Sequence, residues 1–364
     1  MLYPAGGKNR RAKLGSLFFA VLSYHVNVLI RFKLKKHFGL LKKAKKKDIN
    51  IISDLLIGFS NKDYWRKQDA FLGPYSTYGC KAHDGRLNDW GIKALNFYNS
   101  KAAEELLQEK VEKTLMHGIR LDAVWQYFEP VIKHNYPDNK DFEIVPADKV
   151  NDKFIRVIEN VINEHGIPKE LIISENLSPS GNVYSKLKNI GFPQLSVAHF
   201  NESIQDSPAD NWQALSTLDT PSINTFTNGN KYKQKILWSR LFYGPVNWER
   251  GPNKILTTVF DVLGMNETYN KADSQDCSNW KMRLPEDFDA FYFKQVKNDN
   301  ALNLPEILKT SLEWKNKGSQ ALKNKLQMFA DILKEDGPMT EKEANEFFAK
   351  TAEEEASGIL KKVS

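Results

Sequence analysis

The sequence predicts an α/β protein: a (β/α)8-type TIM barrel, incomplete, with about its last six strands present and extra helical segments at both ends. Three short segments carry that prediction. They are Gly118-Ile119-Arg120-Leu121-Asp122, Leu171-Ile172-Ile173-Ser174-Glu175-Asn176 and Ser216-Thr217-Leu218-Asp219. The first two are apolar runs ending in a carboxylate, as buried parallel strands do, and the third sets an Asp just after Leu-Ser-Thr-Leu. Acids at the C-terminal ends of such strands face the mouth of a barrel, where these folds keep their chemistry. The spacing agrees: 53 residues separate Asp122 from Glu175, and 44 separate Glu175 from Asp219. The second interval holds another strand-like run, 194–200. The acids therefore fall on one strand, the next, and the next but one.

The elements follow in order. Residues 1–47 form a basic, helical segment, with thirteen Lys/Arg in the first fifty residues against one acid, Asp48. The apolar stretch 14–30 follows a basic lead, yet it is short for a membrane span and contains Ser23, His25 and Asn27. It reads as a core helix, and 35–47 as a solvated Lys-rich helix with Leu40 and Leu41 inward. Strand-like runs then fall at 49–55, 119–124, 170–174, 194–200, 215–218 and 255–262, in a catalytic domain spanning 48–298. Residues 60–97 read as a long aromatic loop of the kind that builds barrel sites. Residues 102–116 have helical periodicity, with Leu107, Val111 and Leu115 on one face and Leu106 at its edge. The tail, 299–364, is helical and charged, with a capping box at 338–343.

Three acids in one mouth repel one another and are each penalised by desolvation. That cost suits cleavage of a glycosidic bond, which needs one nucleophilic carboxylate and one protonated carboxyl. Arg120 lies two residues before Asp122, on the same side of the strand, where its charge would keep Asp122 ionised.

The motifs resemble those of the 4-alpha-glucanotransferases (amylomaltases) of glycoside hydrolase family 77, in the alpha-amylase clan. Ile119-Arg120-Leu121-Asp122-Ala123-Val124 is similar to the family's nucleophile strand, Val-Arg-Ile-Asp-His-Phe. Ser174-Glu175-Asn176-Leu177-Ser178 matches its Ala-Glu-Asp-Leu-Gly, and Ser216-Thr217-Leu218-Asp219-Thr220 its Gly-Thr-His-Asp-Asn. Asp54-Leu55-Leu56-Ile57, Trp90-Gly91, Phe260-Asp261-Val262-Leu263-Gly264 and Asn279-Trp280-Lys281-Met282-Arg283 resemble further family segments, so the likeness runs from about residue 35 to about 290. The resemblance implies Asp122 as nucleophile, Glu175 as acid/base and Asp219 as the third acid gripping sugar hydroxyls. Arg120, Asp54, Trp90, Trp125, Tyr127, Asn279 and Trp280 are the implied substrate-binding residues. The implied substrate is a maltooligosaccharide or other alpha-1,4-glucan, with neither metal nor organic cofactor.

Departures accompany the matches. Leu218 stands where the family has a His that donates to a sugar hydroxyl, and leucine has no donor. Ala123, Asn176, Thr220 and Lys93 also replace family residues. The opening strands have no counterpart, so six strands leave two apolar sheet edges. Residues 1–35 cover them, a second copy of the chain does, or the chain is a truncated product. The alternative function is a catalytically inactive relic of the fold that binds glucan or another protein.

At 364 residues, 41% hydrophobic and 27% charged, the chain can bury a full core. Two cysteines, Cys80 and Cys277, form no disulfide framework or metal pattern, as in a cytoplasmic protein. His83, His117 and His199 have no metal spacing and read as structural. No nucleic-acid partner is expected, and the basic start does not by itself indicate one.

Overall fold

The computed structural model describes residues 42–44, 46–47, 49–81, 87–98, 101–135, 141–177, 181–197, 211–243, 254–267, 270, 286–314 and 316–335. Almost all of the basic segment 1–47, the tail beyond 335, and Asn279 and Trp280 lie outside these residues. Ten strands are described: β1 (Ile52–Leu55), β2 (Ser76–Lys81), β3 (Leu87–Lys93), β4 (Gly118–Leu121), β5 (Val131–His134), β6 (Phe142–Ile144), β7 (Ile172–Ser174), β8 (Leu195–Val197), β9 (Trp212–Ala214) and β10 (Lys254–Leu256).

Six of them are parallel. The order β1-β4-β7 makes one three-stranded sheet and β8-β9-β10 another. Among the described residues an isolated bridge, Ser174 to Gln194, joins the two. Trp212 reinforces the join, its indole Nε1 donating to Ile172 O at 2.9 Å. Among the described residues β1 pairs only with β4 and β10 only with β9. The helices between strands follow from apolar residues three and four apart. Lys101–Thr114 buries Ala103, Leu106, Leu107 and Val111, and Lys153–Glu164 buries Phe154, Ile155, Ile158, Val161 and Ile162. Both pack into one core with Leu55, Ile119, Leu121 and Ile172 from β1, β4 and β7. Gly118 allows β4 to approach β7, since a Cβ there would lie 2.3 Å from Leu171 O.

Three expectations are corrected. The strand expected at 215–218 lies earlier, at Trp212–Ala214, so Asp219 is carried by a turn beyond it. The strand expected at 255–262 ends at Leu256; Val259–Leu263 is a helix, capped by the Thr258 side chain and ended by Gly264 at φ 65. The loop expected at 60–97 contains the helix Asn61–Arg66 and the hairpin β2–β3. That hairpin belongs to a four-stranded antiparallel sheet, β3-β2-β5-β6. Phe71, Tyr78 and Phe97 are buried in the core, whereas Trp65 is 73% exposed.

The last described helices, Phe288–Lys297, Leu304–Trp314 and Gln320–Glu335, pack on one another and on the helix Lys231–Tyr243. Glu306 ties them together through Lys235 at 3.1 Å and Lys334 at 2.9 Å. No helix among the described residues is long and apolar enough to cross a membrane.

Candidate active site

The site forms where β1, β4 and β7 end side by side. The parallel register sets Asp54 opposite Arg120, and Leu121 opposite Ser174. Pairing continues past the strands: Asp122 N–H donates to Leu55 O at 3.1 Å, and Glu175 N–H to Leu121 O at 3.0 Å. Asp122 and Glu175 are thereby neighbours, one residue beyond their strands. Strand alternation puts Arg120 and Asp122 on one face. The chain then reverses through Ala123, whose backbone is left-handed at φ 40. A non-glycine residue there costs on the order of 1–2 kcal/mol.

Arg120 is the hub. Its Nη1 donates to Asp54 Oδ1 at 2.7 Å. Its Nη2 lies 2.9 Å from Glu175 Oε2, 3.4 Å from Asp122 Oδ1 and 3.8 Å from Asp219 Oδ2. These Nη2 contacts are ion pairs without hydrogen-bond alignment. One oxygen from each of Asp122, Glu175 and Asp219 falls within 4.8 Å of the others. The structure thus brings together four acids and one cation that the sequence spreads over 165 positions.

The charges bias one another. Burial alone would lower the Arg120 pKa, but Glu175, Asp122 and Asp54 outweigh it and push it further up. Arg120 remains fully charged. Asp122 is pulled both ways. Burial, then the charge of Glu175, raises its carboxyl well above the usual range, more than Arg120 pulls it down. Arg120 thus favours the ionised form of Asp122, as expected from the sequence, while burial and Glu175 oppose it and the net shift is upward. Asp219 is raised too, by burial, against the pull of its hydrogen bond from Asn270.

Asp219 reaches the cluster from a braced turn. Ser216 Oγ donates to Asp261 Oδ2 at 2.6 Å, and Ile223 N–H to Asp261 Oδ1 at 2.6 Å. Thr217 N–H donates to Thr220 Oγ1 at 2.8 Å. Asn270 Nδ2 donates to Asp219 Oδ1 at 2.6 Å.

The other expected residues divide. Trp125, three residues past Asp122, meets Trp90 edge to face with ring centroids 6.0 Å apart. Both are half-buried, which leaves part of each ring open to contact. Tyr127 is 0% exposed and packs in the core. Its ring has no surface to offer a sugar, which corrects that expectation. His117 is structural, accepting from Ile51 N–H at 3.0 Å.

Two residues were missed by sequence reasoning. Asn270 is one; no local pattern marks it. Lys110 is the other, on the helix Lys101–Thr114. Its Nζ donates to Leu56 O and Gly58 O, each at 2.5 Å, and so fixes the chain just past β1. Burial pushes Lys110 down to about 8, against the pull of Asp63, Asp122 and Asp54. Its position three residues from Leu107 and one from Val111, at the edge of the buried face, was the available signal.

No family model matches the sequence. No curated protein matches it either. In structure the chain is similar to amylomaltase from Streptococcus agalactiae in complex with acarbose, at 18% identity and a TM-score of 0.55, covering 79% of this chain and 61% of that one. It is also similar to amylomaltase from Corynebacterium glutamicum, at 13% identity and a TM-score of 0.44, covering 63% of this chain and 41% of that one. The first likeness shows a shared fold: the chain is folded like an amylomaltase. It spans about three-fifths of the length of that protein.

Proposed function

We propose that the chain is a 4-alpha-glucanotransferase, moving alpha-1,4-glucan segments between maltooligosaccharides by a retaining double displacement. The observation that carries this reading is the cluster of Asp122, Glu175 and Asp219, with oxygens within 4.8 Å of one another. An inverting site needs carboxyls about 6.5–9.5 Å apart to admit water, whereas a retaining pair stands at about 5–5.5 Å. The amylomaltase-like fold supports the substrate class, and the six parallel strands are read as consecutive strands of a (β/α)8 barrel.

In this reading Asp122 attacks the anomeric carbon while Glu175 protonates the leaving glycosidic oxygen. A covalent glucosyl-enzyme results. Glu175 then takes the proton of the 4-hydroxyl of a second glucan, whose oxygen attacks the anomeric carbon and frees Asp122. Asp219 grips the 2- and 3-hydroxyls. For the attack Asp122 has to be ionised and its hydrogen-bonded neighbour Glu175 protonated, so substrate binding has to work against the burial that raises the Asp122 carboxyl. Asp54 holds Arg120, and Trp90 with Trp125 offers faces for sugar rings. Asn279 and Trp280 are assigned to substrate binding by the motif alone.

A second reading, glucan binding without turnover, is favoured by one observation. Leu218 O accepts a hydrogen bond from Asn270 N–H, and the Leu218 side chain has none to give, so the donor expected beside Asp219 is missing. Loss of one transition-state hydrogen bond costs on the order of 10²-fold in rate or more.

Incubation with maltotriose, beside an Asp122→Asn variant, separates the readings. Glucose together with longer maltooligosaccharides, lost in the variant, establishes transfer. No products from a folded sample that binds acarbose by calorimetry establishes the binding relic. Neither products nor acarbose binding rejects both.

A further inference from the structure

We propose that Asn270 is the positioning residue that fixes the Asp219 carboxylate across the mouth from Arg120. Asn270 donates twice to one dipeptide: its backbone N–H to Leu218 O at 3.0 Å, and its Nδ2 to Asp219 Oδ1 at 2.6 Å. The first bond sets the Leu218–Asp219 peptide and the second sets the carboxyl plane. With Oδ1 held by the amide, Oδ2 is the oxygen that faces Arg120 Nη2, at 3.8 Å.

The rest of the turn is braced without touching that carboxylate. Asp261 holds Ser216 and Ile223, and Thr220 holds the Thr217 amide. Asp219 N–H donates to Thr217 Oγ1 at 3.3 Å. These contacts place the backbone of the turn; among the described residues it is Asn270 that supplies the hydrogen bond to the side chain. Leu218, lacking a donor, cannot share that task. Asn270 lies 51 residues along the chain, so the bond closes a long loop on the site.

The electrostatics agree with the geometry. Asp219 faces the cation of Arg120 and the acids Glu175 and Asp54, while burial raises its carboxyl and Asn270 lowers it. Removing the amide donor leaves the ionised form of Asp219 less favoured.

The test reads Asp219 directly. The carboxyl 13C resonance of Asp219 is titrated in the full chain, in Asn270→Ala and in the isosteric Asn270→Asp. Thermal melts establish that each variant is folded, and the Asp261 resonance serves as an internal control. The Asp219 midpoint is expected to move upward by about one pH unit in Asn270→Ala, and further in Asn270→Asp, with Asp261 unmoved. An unmoved Asp219 midpoint in both folded variants overturns the inference. So does a shift of equal size at Asp261, which would mark a general loosening of the turn.

A kinetic arm rests on the glucanotransferase reading. There Asn270→Ala lowers kcat for maltotriose about tenfold or more while leaving KM within about twofold, and it has no further effect in an Asp219→Asn background. An effect of Asn270→Ala that persists undiminished in that background overturns the inference. If the native chain turns nothing over, the glucan reading fails, and the titration decides the role of Asn270 without it.

Discussion

Arg120 Nη2 lies 2.9 Å from Glu175 Oε2, while Nη1 of the same guanidinium donates to Asp54 at 2.7 Å. One cation thus braces the ends of β1 and β7 from its own strand, β4, between them. Its loss takes away the cation that Glu175, Asp122, Asp219 and Asp54 share, leaving them the charge of Lys110, which acts on Asp122 and Asp54. Truncating one partner of a buried ion pair typically costs about 3–5 kcal/mol. Arg120→Met is expected to lose stability on that scale at neutral pH in urea melts. The loss should shrink as pH falls and the acids protonate; a loss independent of pH would show that Arg120 acts through packing alone.

Asp122 and Asp219 have folded-state pKa values raised above their ordinary ones, by burial first. The sign follows from linkage. The unfolded chain releases these protons at about pH 4, the folded chain only higher, so between the two values rising pH favours the unfolded state. Their contribution to stability is present below pH 4 and is lost as pH rises through the folded values. Asp122→Asn removes that loss and should stabilise the protein by about 1 kcal/mol at pH 7.5, with little difference near pH 4. Denaturant midpoints across that range check it, and greater stabilisation at the acid end would refute the shift.

Ala123 turns the chain just after Asp122 in the left-handed region, at φ 40. Glycine accepts that conformation without the Cβ penalty. Ala123→Gly should raise stability by about 1 kcal/mol, and the β-branched Ala123→Val should lower it. Thermal midpoints of the pair measure this, and a fall on Ala123→Gly would mean that the Cβ contributes more by packing than it costs in strain.

Gly118 is required by proximity, since an added Cβ would stand 2.3 Å from the backbone oxygen of Leu171. Gly118→Ala must separate β4 from β7, costing about 1–3 kcal/mol. Because Asp122 and Glu175 extend those two strands, the spacing between the acids should change with them. A drop in acarbose binding larger than the stability loss explains is expected; unchanged binding in a folded variant would separate the site from the strand spacing.

The sequence makes Asp122 and Glu175 legible because each closes a short, mostly apolar run, Gly-Ile-Arg-Leu before Asp122 and Leu-Ile-Ile-Ser before Glu175, and a buried parallel strand leaves that trace. Asp219 is half legible. Ser216 and Thr217 are buried in the manner of strand residues, but side chains of Asp261 and Thr220 satisfy their turn, and the strand itself ends at Ala214. The helix Val259–Leu263 carried readable signals, Thr258 before it and Gly264 after, that its apolar content obscured. The sheet of β2, β3, β5 and β6 was hidden because a register shift between Thr77 and Gly79 interrupts its alternation. Asn270 and the upward shift of Asp122 leave no trace at all, since both arise from groups far apart in the chain.

The six parallel strands fall into two halves that meet at the bridge from Ser174 to Gln194. Asp54, Arg120, Asp122 and Glu175 all belong to the first half, and Asp219 with its braces Asp261 and Asn270 to the second. The charge cluster therefore reaches across both halves, as do the apolar contacts of Ile173 with Leu195, Val197 and Ala214. In the proposed reading, a ligand seated between Arg120 and Asp219 would touch groups from both halves. Occupancy of that place is expected to add to the cohesion of the two halves together.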